Sequence, residues 1–192
     1  MSVSSLDGLL GRRSSKFLTS PGPDAQALRK MFEAAACAPD HGALRPWRFA
    51  VIDGAAVGRL ADVAIAAVKA SGDPRMTPEK EKSTREWLAN VPTVIAVAQK
   101  IAHDNDKIPE QEQLLAAGAA AMNLLNAAHL LGFGAFWSTG LGTYVEAVQD
   151  ALGFDALDYR FLGFIAVGTP SGKLPPARRA DPDSFVSVWT GD

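Results

Sequence analysis

One cysteine, Cys37, stands in the 192 residues, so no intrachain disulfide can form. That scarcity suits a reducing compartment, and a cytoplasmic location is the expectation. Histidine is also sparse. His41, His103 and His129 lack the spacing of a zinc site. Nineteen basic residues against twenty-one acidic ones give a net charge of −2. The basic excess that would recruit nucleic acid or an anionic membrane is therefore missing. Met1 to Asp7 has neither the basic start nor the apolar run of a signal peptide. The longest apolar stretch, Leu114 to Leu131, is interrupted by Asn123, Asn126 and His129. Those groups are costly in lipid, so the stretch reads as a buried helix of a soluble protein.

Several signatures of other chemistries are incomplete. Gly132-Phe133-Gly134 lacks the third glycine of a dinucleotide fingerprint and follows a helical stretch, whereas the fingerprint follows a strand. Gly168 to Lys173 is one residue short of a P-loop between its glycines, and Leu174 stands where Ser or Thr is needed. No Gly-x-Ser-x-Gly elbow occurs. A Rossmann site, a P-loop and a serine hydrolase are thereby excluded.

The apolar fraction of 47% and charged fraction of 21% describe a globular chain. Its length suits one domain spanning residues 1–192. Helical spacing predicts helices over Ser5 to Arg13, Asp24 to Cys37, a segment ending near Ala70, Pro78 to Leu88, Glu110 to Leu131, and Tyr144 to Leu152. Strands are predicted at Trp47 to Ile52, Thr93 to Ala98, Ala135 to Trp137 and Arg160 to Val167, with a last one at Phe185 to Trp189. The pattern is α+β. The unbroken apolar run at Thr93 to Ala98 marks a strand buried on both faces. The helix from Glu110 is Ala-rich nearly all round, so it is expected to be central, or shared with a second subunit.

Three segments carry candidate chemistry. Arg12-Arg13-Ser14, with Lys16 nearby, offers guanidinium forks and a hydroxyl to an anion. The same cluster also reads as a solvated helix end that complements the helix dipole. Ala38-Pro39-Asp40-His41-Gly42-Ala43-Leu44-Arg45-Pro46-Trp47 stops a helix and enters a strand. Those structural roles leave His41 and Arg45 without one. Trp137-Ser138-Thr139-Gly140 closes a strand where backbone N–H groups can face a ligand.

Taken in order, these segments resemble the FMN-dependent nitroreductase family, in particular its short YdjA-like branch. The resemblance runs from about Leu6 to Trp189 and includes Gly168-Thr169-Pro170. It implies a nitroreductase-like fold: a central, mostly antiparallel sheet flanked by helices, with the long helix at a homodimer interface. It implies that Arg12, Arg13 and Ser14 hold the FMN phosphate and ribityl chain, and that Lys16 approaches the flavin pyrimidine. Trp137, Ser138 and Thr139 would lie along the isoalloxazine, and His41 and Arg45 would come from the partner subunit. The implied activity is ping-pong hydride transfer from NADH or NADPH to FMN and then to a nitroaromatic, quinone or other electrophilic small molecule. No residue need act as acid or base, because the cofactor carries the chemistry. The chain departs from the family at Arg45, where Gln is common, and at Ala43, where Asn is frequent. Arg178 and Arg179 resemble a basic pair that often joins the phosphate site. A rival reading is a flavin carrier or redox sensor without turnover. Within enzymes, a dehalogenating relative would use the helix at 78 to 88 as a lid.

Overall fold

A computed structural model describes residues 5–172, 174 and 178–191. Two apolar layers form on the two faces of an antiparallel sheet. Helix α1 (Ser5–Gly11) leads to the two-residue strand β1 (Leu18–Thr19). Asp24 caps α2 (Ala25–Ala35), its carboxylate accepting from the Ala27 N–H at 2.7 Å. Strand β2 (Trp47–Asp53) runs into α3 (Ala55–Ala70). Thr77 caps α4 (Pro78–Asn90), which carries a proline in its first turn, where no N–H is missed. Then come β3 (Thr93–Lys100), α5 (Glu110–Leu130), β4 (Gly134–Ser138), α6 (Glu146–Ala151) and β5 (Tyr159–Pro170).

Strand β5 is the axis of the sheet. It pairs with β3 on one side and with β4 and then β1 along the other, and β2 lies beyond β3. Every one of these ladders is antiparallel. Side chains alternate across β3 as the period of a strand requires. Val94, Ala96 and Ala98 pack with Leu60, Ala64 and Leu88 of α3 and α4. Ile95 and Val97 pack with Met31 of α2 and Ala120, Leu124 and Ala128 of α5. Two covered faces explain the unbroken apolar run of β3, although an antiparallel sheet more often leaves one face wet.

Helix α5 is central to the fold, as its alanine-rich composition predicts. Ala117, Ala120, Ala121, Leu124 and Ala128 are wholly buried, small enough to bring the helix close to the sheet. Leu115, Met122 and Leu130 of the same helix are exposed. Two elements differ from the sequence expectation. β1 was absent from it, because two residues carry no periodicity and only the end of β5 recruits them. The strand expected at Phe185 to Trp189 is not formed: a short 3-10 turn at Pro182–Ser184 is followed by chain without a ladder. Phe185, Val186, Val188 and Trp189 are exposed there.

Candidate functional site

The basic cluster is held against the edge of the sheet. After α1 ends, Ser14 forms a parallel bridge with Ala135 of β4, and the Ser15 N–H donates to the Ala135 carbonyl at 2.9 Å. Arg12, Arg13 and Ser14 therefore sit where β4 begins. Arg179 reaches them from the C-terminal segment, its Nη2 donating to the Arg12 carbonyl at 2.7 Å. Burial first, and then the charge of Arg179, hold the Arg12 guanidinium below its ordinary pKa. Two like charges pressed together in this way favour an anion between them. Among the described residues no carboxylate pairs with either. Arg13 lines a cavity of about 340 Å³ together with His129 and Gly132, at the C-terminal end of α5.

The far end of β4 carries the next three candidates. Trp137 turns to the α5 face, its indole N–H donating to the Leu162 carbonyl at 2.9 Å. Phe136 and Ser138 turn to the α4 face. Ser138 Oγ accepts from the Gly140 N–H at 3.1 Å, which tightens the turn after the strand. Gly163 of β5 makes this turn possible. Its φ is +106°, and a Cβ there would stand 2.5 Å from the Ser138 carbonyl oxygen. The Lys16 carbonyl accepts from the Trp87 indole N–H at 2.8 Å, tying the chain after the cluster to α4. Lys16 and Ser138 line one cavity of about 220 Å³, and Thr139 lines a neighbouring one of about 410 Å³.

His41 and Arg45 lie elsewhere. His41 Nδ1 is 2.7 Å from Glu112 Oε2, in the first turn of α5. Arg45 has φ of +49° and Ala43 of +54°, unusual for residues with a Cβ. The loop is locked to hold them so. Asp40 accepts from the Arg45 N–H at 2.6 Å, and Arg48 Nη1 donates to the Arg45 carbonyl at 2.7 Å and the Trp47 carbonyl at 2.8 Å. Both His41 and Arg45 are exposed. Their loop enters β2, the edge opposite β4. Three strand steps of ~4.8 Å separate those edges, on the order of 14 Å. The register adds to this: Ser138 lies level with Phe164, Ala96 and Ala50, and Trp47 is further along β2. Within one chain the fold thus gathers Arg12, Arg13, Ser14, Lys16, Trp137, Ser138 and Thr139 along β4 and leaves His41 and Arg45 apart. Glu112 and Gly163 escaped sequence reasoning, because nothing local to them signals the distant group that each one meets. A further cavity, about 780 Å³, opens between α5 and the start of β5, with Leu115, Gly118, Trp137, Tyr144 and Arg160 in its wall.

No group of three or more His, Cys, Asp or Glu among the described residues is placed to hold a metal. No helix among them is long and apolar enough to cross a membrane. The family model described as nitroreductase family matches residues 9–169. The chain is 32% identical over 188 residues to "Putative NAD(P)H nitroreductase YdjA" of Escherichia coli (strain K12), covering 97% of this chain and 100% of that protein. It is 34% identical over 180 residues to "Putative NAD(P)H nitroreductase" of Haemophilus influenzae, covering 93% and 96%. A solved nitroreductase-like family protein from Bacillus cereus shares the fold, with a TM-score of 0.83 at 20% identity over 100% of this chain and 98% of that one. A solved nitroreductase-type protein from Desulfovibrio desulfuricans, in complex with FMN, has a TM-score of 0.73 at 25% identity, covering 98% of each chain. With the family model spanning α1 to β5 and its curated relatives matched almost end to end, the chain belongs to the nitroreductase family.

Proposed function

We propose that the chain is an FMN-dependent NAD(P)H oxidoreductase, working as a homodimer with its two flavin sites at the subunit interface. The observation that carries this reading is the pairing of Arg12 with Arg179 beside the start of β4. The donor set fits one terminal phosphate: two guanidinium groups with no carboxylate partner among the described residues, and the exposed hydroxyl of Ser14. A single phosphate matches FMN, and the missing third glycine speaks against a dinucleotide. When bound, FMN supplies the redox chemistry, taking hydride from NADH or NADPH and passing it to an acceptor such as a nitroaromatic or quinone.

The protein's own groups bind, orient and exclude water. Arg12, Arg13, Ser14 and Arg179 anchor the phosphate end. Ser138, Thr139 and Lys16, lining cavities at the far end of β4, orient the ring end. Trp137, pinned to Leu162, stiffens the strand between them. His41 and Arg45, remote from this group in their own chain, serve the site of the partner subunit. The exposed Leu115, Met122 and Leu130 of α5 give the dimer an apolar face. Residues 1–192 act as one flavin-binding domain, in the cytoplasm.

The test is a visible spectrum of the purified protein, mass analysis of the released chromophore, and anaerobic addition of NADPH or NADH. Bound FMN bleached by one nicotinamide and restored by a quinone or nitroaromatic is the expected result. FAD, or no flavin at saturation, would overturn it. Flavin that no nicotinamide reduces would favour a carrier or redox sensor.

A further inference from the structure

The first turn of α5 carries two acids that are engaged differently. Arg160 of β5 grips Glu110, its Nε donating at 2.6 Å. Glu112 instead meets His41 Nδ1 at 2.7 Å, and among the described residues no other cation pairs with it.

This contact is not what holds the backbone of the loop. Asp40 and Arg48 bind the N–H and the carbonyl of Arg45. Gly42, at a φ of +72°, lies against Ile108, and a Cβ there would stand 2.3 Å from Ile108 Cδ1. Ile108 is itself fixed: its N–H donates to Asn105 Oδ1 and its carbonyl accepts from Gln113 Nε2, both at 3.1 Å. The chain around His41 is thus tied down by other groups. What Glu112 adds is control of the imidazole ring.

A neutral imidazole carries one proton on its two nitrogens, so one donates and the other accepts. A carboxylate can only accept, so Nδ1 beside Glu112 must hold the proton. An unconstrained histidine favours the opposite form, with its proton on Nε2. Glu112 therefore reverses the ordinary state of the ring and leaves Nε2 with a lone pair. The His41 side chain is 65% exposed, so the ring stays open to a molecule outside its own chain.

We propose that Glu112 is a positioning residue: it holds His41 in the Nδ1–H form, leaving Nε2 as a hydrogen-bond acceptor for an N–H or O–H group of a molecule bound in the partner subunit's site. For what Nε2 meets, the proposal rests on the oxidoreductase reading; for the state of the ring it does not. Glu112 acts through His41 and takes no part in the chemistry.

Nitrogen NMR of histidine-labelled, FMN-loaded protein reads the two ring nitrogens separately, at about pH 9 where an ordinary histidine is neutral. His41→Gln identifies the His41 signals among those of the three histidines. The parent ring is expected mainly as Nδ1–H. Glu112→Ala should shift the ratio of the two forms about tenfold toward Nε2–H, the lower end for a hydrogen bond to a charged group. Glu112→Gln, whose amide oxygen still accepts, should keep the Nδ1–H form, and Glu110→Gln should change nothing at His41. A parent ring found mainly as Nε2–H, or a ratio unmoved by Glu112→Ala, would overturn the proposal. A double-mutant cycle on kcat/KM for menadione shows whether the effect runs through the ring. Glu112→Ala should lower kcat/KM roughly fivefold, Glu112→Gln should keep most of it, and Glu112→Ala should have no further effect once His41→Ala is present. Losses that multiply would give Glu112 a task apart from His41 and overturn the proposal as well. The two readings fail separately. A ring set by Glu112 in protein that turns over no acceptor sinks the oxidoreductase reading and keeps the Nδ1–H assignment; turnover with a ring indifferent to Glu112 does the reverse.

Discussion

Arg12 and Arg179 illustrate how a function is written at the scale of single residues. A lone arginine at a helix end is ordinary. Two guanidinium groups in one place, one of them partly buried, repel each other and are held together only by the fold and by the bond from Arg179 to the Arg12 carbonyl. An anion relieves that repulsion. Arg12→Ala is therefore expected to weaken FMN binding by about 2 kcal/mol, roughly thirtyfold, the size of one charge-assisted hydrogen bond. Arg179→Ala should cost a similar amount, and fluorescence titration of flavin-free protein measures both. If Arg12→Ala left the affinity unchanged, the cluster would be only a solvated helix end. Arg45 is a second case at this scale. Its left-handed backbone is maintained by Asp40 and Arg48, and such upkeep of a strained conformation is characteristic of residues with a task.

Among the elements, α4 is tied down by charge as well as by apolar packing. Only Thr84 and Leu88 of its residues are buried. Glu81 bridges it to Lys69 of α3 while also meeting Arg85 of its own helix. Hydrogen bonds from Lys69 first, and then from Arg85, hold the Glu81 carboxyl below its ordinary value. A carboxylate whose folded pKa is depressed stabilises the fold above its unfolded value, and that stabilisation fades as pH falls through the folded value. Hydrogen exchange across α4 should therefore quicken as the solution is taken below the ordinary glutamate range, while the β3 and β5 amides stay protected. Glu81→Gln should remove most of this pH dependence and leave α4 more open at neutral pH. A pH response of α4 unaltered by Glu81→Gln would show that another group holds the helix. Because α4 walls the cavity with Lys16 and Lys80, the same experiment reports how firmly that cavity is closed.

At the scale of the whole molecule, the question is why the flavin candidates fall into two groups. One group follows β4 and the other stands beyond β2, at the opposite edge of the sheet. No side chain spans a gap on the order of 14 Å and more. On the proposed reading, a second copy packed through the exposed Leu115, Met122 and Leu130 of α5 would supply what one chain lacks. Complementation checks this. A subunit with Arg12→Ala and Ser14→Ala is mixed with one carrying His41→Ala and Arg45→Ala. If sites are shared, each mixed dimer holds one site with both defects and one with neither, so part of the activity returns. Proven mixed dimers without recovered activity would place each pair of residues in its own subunit's site.

Much of this was legible in the chain itself. The break at Ala38-Pro39 and the cap at Asp24 mark helix ends, because they depend on neighbours a few residues away. The apolar run of β3 and the alanines of α5 announce burial, because burial leaves its mark on composition. The basic cluster at Arg12 to Ser14 and the loop at 38 to 47 were visible because their residue types are unusual for their positions. The rest depends on which distant segments meet. Arg179 joins Arg12 from more than a hundred and sixty residues away. Gly163 admits the Ser138 carbonyl, Glu112 takes up His41, and β1 exists only because β5 overruns β4. Conversely, Phe185 to Trp189 have the composition of a strand but no ladder to join. Local energetics, carried by sequence neighbours, decided the elements. The encounter of like charges and the separation of the two groups of flavin candidates were decided only by the tertiary fold, because each is a relation between residues that the sequence keeps far apart.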